Sequence, residues 1–255
     1  MAKIVKAPAI MSTKVNSFCA GCGHGIITRI LAEAVEEMGL SEKTILCIGI
    51  GCYCSIGSLL KVDSLDSPHG RAPAVATGIK RMRPENIVIT YQGDGDISSI
   101  GCGEIVHAAA RNEKITSIFV NNGVYGMTGG QMAPTTLPHQ VTATTANGRD
   151  PEVSGMPIKL SEMLSVFPVA YIARGSVHRA GEILKTKAYI KKALQAQIDG
   201  KGFSMIEILS PCPTNWHMSP AAAADRIDAE VIPYYPLGEL AVSYTHLTLP
   251  TICSV

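Results

Sequence analysis

Apolar residues recur along this chain with two different periods. From Gly25 to Met38 they fall at Ile26, Ile27, Ile30, Leu31, Ala34, Val35 and Met38, the spacing of one helix face, and Gly39 follows as a stop. Ala180 to Ile198 repeats that signature over a longer run and ends before Gly200. The spacing also predicts helices over Ala72 to Met82 and Gly101 to Arg111, and a shorter one capped by Ser161 and ending near Val166. Between them lie compact apolar runs: Thr44 to Ile50, Asn86 to Tyr91, Ile115 to Val120, Ala170 to Ala173 and Phe203 to Leu209. These read as strands, and strands so continuously apolar are buried on both faces. Their alternation with helices predicts an α/β fold built on a doubly wound, mostly parallel sheet. Residues 1–241 are expected to form one domain, with a C-terminal extension from about 203.

The 255 residues suffice for one large α/β domain. With 46% hydrophobic and 17% charged residues, the chain has the balance of a well-buried enzyme and not of a disordered segment. The net charge of +1 and the lack of a basic block argue against a nucleic-acid partner. The longest apolar run, Thr44 to Leu60, is interrupted by Gly49, Gly51 and Gly57 and falls short of the roughly 20 residues of a membrane span. No membrane association is expected. The first residues lack the apolar core of a signal peptide, so a cytoplasmic protein is expected. Eight cysteines in that compartment point to metal binding or plain burial, because the cytosol keeps thiols reduced.

The far end breaks the pattern. Val242 to Thr251 reads VSYTHLTLPT, which looks like the translation of a transposase adapter used in building sequencing libraries. Residues 242–255 are therefore expected not to be native, and His246 and Cys253 are left out of the site.

The first chemical signal is YQGDGD, residues 91–96, directly after a strand. Ligands of doubly wound sheets bind at the carboxyl ends of strands. Gly93 and Gly95 let backbone approach a ligand closely, and Asp94 between them offers a hard oxygen. The next strand ends in NNGVYG, residues 121–126. Asp94, the Asn122 side-chain oxygen and the Val124 carbonyl are expected to form one oxygen-rich face of the kind Mg²⁺ prefers when it also binds diphosphate. A helix starting near Ile100 would aim its N-terminus at the phosphates. GDG followed by NN after one helix and one strand resembles the thiamine diphosphate signature of transketolases and decarboxylases. The plain alternative is two tight turns whose Asp and Asn cap helices. The competing nucleotide motifs are incomplete: GIGCYC lacks the third glycine of G-x-G-x-x-G, and no P-loop occurs.

The second signal is CAGCGHG, residues 19–25. Cys19 and Cys22 form a CxxC, Cys52 follows the first strand and Cys212 follows the last. Four thiolates from strand ends and loops suit either a [4Fe–4S] cluster or a structural zinc, and spacing alone does not decide. Cys54 competes with Cys52; Cys47 reads as core, and Cys102 as a helix start.

CAGCGHG, GIGC, HGRAPAVATG, YQGDGD, NNGVYGMTGGQ and SPCPTNW together resemble the β subunits of 2-oxoacid:ferredoxin oxidoreductases, in the order typical of that family and over nearly the whole chain. Ala20, in place of the usual proline of CPGCGH, leaves both thiols intact. The resemblance implies the thiamine diphosphate-binding fold. It implies a [4Fe–4S] cluster on Cys19, Cys22, Cys52 and Cys212, and Mg²⁺ on Asp94, Asn122 and Val124. Gly51, Gly93, Asp94, Gly95, Asp96, Asn122, Tyr125 and Gly126 would hold the thiamine diphosphate. His69, Arg71, Thr128 and Gln131 would approach the reacting groups. His24 is either a donor to a cluster sulfur or an ordinary helix-start histidine; for His69 and Arg71 the plain alternative is a helix cap and an ion pair.

The activity implied is oxidative decarboxylation of a 2-oxo acid with coenzyme A, giving acyl-CoA and CO₂, with electrons passing through the cluster to ferredoxin. The family branch favours 2-oxoglutarate, with branched-chain 2-oxo acids and pyruvate as alternatives. Arg29, Lys61 and Arg71 are the candidate cations for a distal carboxylate. The glutamate that thiamine enzymes place beside the pyrimidine ring belongs to a separate domain, so an α subunit supplying it is implied, with further γ and δ subunits. Two other readings compete: a non-oxidative thiamine enzyme with structural zinc, and a zinc-stapled α/β binding module.

Overall fold

The computed structural model describes residues 6–242. In chain order its elements are α1 (His24–Glu37), a 3₁₀ turn (Ser41–Lys43), β1 (Thr44–Ile48), α2 (Ile56–Leu59), β2 (Asp63–Asp66), α3 (Ala72–Met82) and β3 (Ile87–Gly93). A π turn (Asp96–Ile100) then leads into α4 (Cys102–Ala110), followed by β4 (Thr116–Asn121), β5 (Val124–Tyr125), β6 (Gln131–Met132), α5 (Pro151–Ser154), α6 (Leu160–Leu164) and β7 (Tyr171–Ser176). The remainder is α7 (Ala180–Ile198), β8 (Ser204–Leu209), α8 (Pro213–Trp216), α9 (Pro220–Arg226), a second π turn (Ile227–Val231), α10 (Ile232–Tyr234) and β9 (Gly238–Val242).

Seven strands form one sheet in the order β2-β1-β3-β4-β8-β7-β9, parallel throughout except for β9. β5 and β6 form a separate antiparallel pair. Because successive side chains point to opposite faces, each inner strand feeds two cores. Leu46, Ile89, Ile118 and Ile206 join α1 and α7 on one face. Cys47, Val88, Phe119 and Met205 join α3, α4 and α6 on the other. The doubly wound sheet read from the sequence is thus the architecture observed, and every residue of β4, β7 and β8 is buried.

Several sequence expectations shift. The segment from about 203, expected to open an extension, begins with the inner strand β8. Ser161 is not a cap: it sits inside α6, and its hydroxyl donates to buried Glu207. The helix expected near Ile100 begins earlier, with Gly95 at the N-cap of the π turn. Of the segment expected to be non-native, Val242 pairs with Tyr171 at the end of β9; residues 243–255 lie outside those described. No helix among the described residues is long and apolar enough to cross a membrane.

Candidate functional site

The parallel sheet brings the carboxyl ends of β1, β3 and β4 together, and the motif residues sit on those ends. Gly93 aligns with Val120 across β3 and β4, so the loops that follow them emerge side by side. A cavity of about 120 Å³ opens there. Gly51 and Cys52 reach it from the loop after β1, and His69 from the loop before α3. Gly93, Asp94, Gly95 and Asp96 come from the end of β3. Asn122, Val124, Tyr125, Gly126 and Thr128 come from beyond β4. A larger open groove of about 670 Å³, near His139, His217 and Arg226, contains none of the sequence-assigned residues.

Asp94 is 2% exposed and its carboxylate is held on three sides. Oδ1 accepts from the Gly95 N–H at 2.8 Å; Oδ2 accepts from the Gly123 N–H at 2.7 Å and from the Thr135 hydroxyl at 2.6 Å. Burial outweighs these donors and pushes the carboxyl up to about 6. Thr135 carries no motif and was not legible in the sequence, since it stands 41 residues from its partner. Gly123 has φ 69°, a left-handed turn that delivers its N–H to Asp94 and that glycine adopts without penalty. A Cβ at Gly95 would lie 2.2 Å from the Tyr125 ring, so this glycine is what lets Tyr125 close over the GDG turn.

Asp96 plays a different part from Asp94. Oδ1 accepts from the Gly70 N–H at 2.6 Å and is hydrogen-bonded to His69 Nδ1; Oδ2 accepts from Gln92 Nε2 at 2.7 Å. It orients the HGR loop and, by engaging Nδ1, leaves Nε2 as the other ring nitrogen of His69. Arg71 does not line the cavity. It stands at the N-cap of α3 and pairs with Glu104 of α4. Gln131 also lies outside the lining, bonded to Thr128 through both its oxygen and its nitrogen. Tyr53, another residue missed in the sequence, packs its ring against Gly51 and Gly93: a Cβ on either would lie 2.6 Å or 3.1 Å from it.

Cys52 lines this cavity, and Cys19, Cys22 and Cys212 lie near enough to act on its charge or on one another's. Burial pushes the Cys22 thiol up to about 12, and Cys212, Cys52 and Cys19 each add to the shift. Burial likewise raises Cys52 to about 11, with Cys212 and Cys19 contributing. No three His, Cys, Asp or Glu side chains among the described residues stand close enough to hold a single metal ion. Cys54 turns back on its own loop: its Sγ accepts from the Gly51 N–H and faces the Gly49 carbonyl. His24 is buried, with Nδ1 bonded to the Tyr91 hydroxyl at 2.9 Å, and burial holds it down at about 4.

Both expected groups fit these donors. The oxygen face of Asp94 and Asn122 lines one cavity, and a buried carboxylate there is a donor suited to an opposing cation. On the sulfur side, Ser210 is 1% exposed and its hydroxyl has no partner, although a Cβ at Gly23 of the CxxC loop would lie 2.2 Å from it. Asn215 Nδ2 points at Cys212 Sγ from 3.4 Å. Such donors suit a thiolate-ligated cluster.

With the site in place, comparison with known proteins assigns the class. Residues 49–208 match the thiamine pyrophosphate enzyme family, specifically its C-terminal TPP binding domain. The chain belongs to that family and, within it, with the β subunits of the 2-oxoacid:ferredoxin oxidoreductases. It is 43% identical over 221 residues to the ketoisovalerate oxidoreductase subunit VorA of Methanothermobacter thermautotrophicus, covering 86% of this chain and 46% of that one. It thus spans about half the length of that relative. It is 39% identical to the 2-oxoglutarate synthase subunit KorB of Methanocaldococcus jannaschii, covering 77% of this chain and 69% of that one. The 2-oxoglutarate:ferredoxin oxidoreductase from Magnetococcus marinus, solved with 2-oxoglutarate, coenzyme A and succinyl-CoA bound, superposes with a TM-score of 0.77 at 28% identity, over 97% of this chain and 87% of that chain.

Proposed function

We propose that this chain forms the thiamine diphosphate and cluster-bearing half of an oxidoreductase that decarboxylates a 2-oxo acid to an acyl-CoA and delivers the electrons to ferredoxin. One observation carries this reading: the oxygen site and the sulfur site meet at a single glycine. A Cβ on Gly126 would lie 3.2 Å from Cys52 Sγ and 3.9 Å from Asn122 Nδ2. A non-oxidative thiamine enzyme has no use for thiols in contact with its cofactor loop. Thiamine diphosphate, when bound, supplies the electron sink for decarboxylation, and a [4Fe–4S] cluster supplies the electron outlet.

The chain's own groups divide the remaining work. Asp94, Asn122 and the Val124 carbonyl hold Mg²⁺. Cys19, Cys22, Cys52 and Cys212 hold the cluster. Zinc suits the thiols less well, because a Zn–S bond of about 2.3 Å requires sulfurs gathered around a single point. His69, whose Nδ1 donates to Asp96, presents Nε2 to the cavity as a proton acceptor. Thr128 and Gln131, bonded to each other, form the mouth. Arg71 holds α3 to α4.

The cavity of about 120 Å³ is smaller than the roughly 300–1,000 Å³ of ordinary ligand sites. A partner subunit is proposed to close it and to bring the pyrimidine-side glutamate. None of Arg29, Lys61 or Arg71 lines the cavity: Arg29 pairs with Glu33, Lys61 reaches the Ala9 carbonyl, and Arg71 takes Glu104. The exposed apolar residues that do line it, Ile50 and Met127, favour a branched-chain 2-oxo acid over 2-oxoglutarate. A cytoplasmic location fits the seven free cysteines among the described residues.

The test is metal and sulfide analysis of the anaerobically purified protein, followed by 2-oxo-acid-dependent reduction of a viologen dye with coenzyme A in the presence of the partner subunit. About four irons and four sulfides per chain, with turnover faster on 2-oxoisovalerate than on 2-oxoglutarate, is the expected result. One zinc and no sulfide would overturn the oxidoreductase reading.

A further inference from the structure

The segment that follows β8 carries one side chain that serves both halves of the site. Asn215 lies in α8, three residues after Cys212. Its Nδ2 donates to Cys212 Sγ at 3.4 Å and to the Gly126 carbonyl at 3.1 Å. The next residue, Trp216, donates its indole N–H to the Asn122 carbonyl at 3.1 Å. These bonds lash the Cys212 loop to the NNGVYG loop and hold the Asn215 amide in register against the sulfur. A Cβ on Gly130 would lie 2.9 Å from Asn215 Oδ1, so the amide is also packed from behind. The backbone of Asn215 donates to the same thiol and, with the side chain, favours its charged form against the penalty of burial.

We propose that Asn215 is a positioning residue that sets the reduction potential of the cluster through its N–H···S bond to Cys212. The inference rests on reading the four cysteines as cluster ligands. One-electron reduction adds a unit of negative charge, shared between the cluster and its thiolates. A donor aimed at a ligand sulfur stabilises that extra charge, so it favours the reduced form and raises the potential. The same amide hydrogen-bonds a carbonyl of the cofactor loop, which fixes its orientation. A rotating amide would present its oxygen to the thiolate half of the time and lower the potential instead.

The experiment is a dithionite titration, followed by electron paramagnetic resonance, of the wild-type protein, Asn215→Leu and Asn215→Asp, each with its iron and sulfide content measured first. Asn215→Leu keeps the shape and removes the donor. Asn215→Asp keeps the shape and places a negative charge beside the sulfur. At the wild-type midpoint, the ratio of reduced to oxidised cluster should fall several-fold in Asn215→Leu and further in Asn215→Asp. A tenfold change in that ratio corresponds to about 59 mV for one electron. Equal midpoints in the three proteins would overturn the inference. So would loss of iron from both variants with the fold intact, because Asn215 would then be an assembly residue only; if one variant loads, it carries the test. Wild-type protein without iron would sink the cluster reading itself, a different outcome from loaded proteins with unmoved potentials.

Discussion

The oxygen half and the sulfur half of this site are built by opposite means. Around Asp94 both carboxylate oxygens are already held, by two backbone N–H groups and the Thr135 hydroxyl, and the residue is 2% exposed. Its neighbours come from adjacent parallel strands whose register the sheet fixes. The four cysteines come from three separate loops. Cys19 is exposed, Cys22 and Cys52 are half-buried and Cys212 is buried, and no three such ligands gather at single-ion distance. On the proposed assignment, the fold would preform the cation site, whereas the four cysteines would be drawn together by the cluster they bind. Binding at the first would then cost little rearrangement, and binding at the second would be coupled to local ordering and to the loss of protons from thiols that burial keeps neutral.

The sharpest way to break this contrast is a pair of substitutions. Asp94→Asn should abolish measurable Mg²⁺–thiamine diphosphate binding by calorimetry while iron content stays at the wild-type level. Cys212→Ala should remove iron and sulfide while diphosphate binding persists. If either change empties both sites, the two halves are not independent.

The pH dependence sharpens the picture of the oxygen half. The Asp94 carboxyl is raised to about 6, so the folded protein holds that proton more tightly than the unfolded chain does. The stability this contributes is fully present below pH 4 and is lost as pH rises through 6, a difference on the order of 2–3 kcal/mol. His24, lowered to about 4, acts in the opposite direction over the same range. The readout is therefore the difference between wild type and Asp94→Asn in cofactor-stripped protein. Denaturant midpoints that run parallel from pH 4 to 7 would contradict the uncompensated buried carboxylate. Saturating Mg²⁺ and thiamine diphosphate should remove the difference.

Thr135→Val carries the smallest effect. Removing one hydroxyl donor to a carboxylate should weaken Mg²⁺ binding about tenfold with a melting temperature within a few degrees of wild type. An unchanged affinity would mean that the two N–H groups suffice.

Much of this was written in local patterns. The helix faces of α1, α3 and α7 and the buried runs of β1, β3, β4 and β8 follow directly from residue periodicity. GDG and NN share a cavity because consecutive β-α units put them on neighbouring strands. What escaped was non-local or polar. Thr135 and Asn215 act through single bonds to distant loops. Tyr53 fills space between two glycines that the pattern assigned to a ligand. Ser161 looked like a cap but is drawn into α6, where its hydroxyl meets Glu207; that carboxylate also takes Asn121 at the end of β4 and Arg174 within β7. β2, with the sequence DSLD, is exposed at every residue and so lacks the apolar signal that revealed the other strands.

The two borders of the sheet also bear on how this protein keeps to itself. A parallel sheet left open at its rim offers a row of unpaired amides on which any passing strand can template. One rim here ends in β2, four residues long and bracketed by Asp63 and Asp66, whose charges repel an incoming copy. The other ends in β9, which turns antiparallel and slips register between Ile172 and Ala173, an irregularity that twists the border away from flat stacking. Deleting Gly238–Val242 would bare the fully buried strand β7, and the first sign of that loss would be turbidity in the test tube before any fall in turnover.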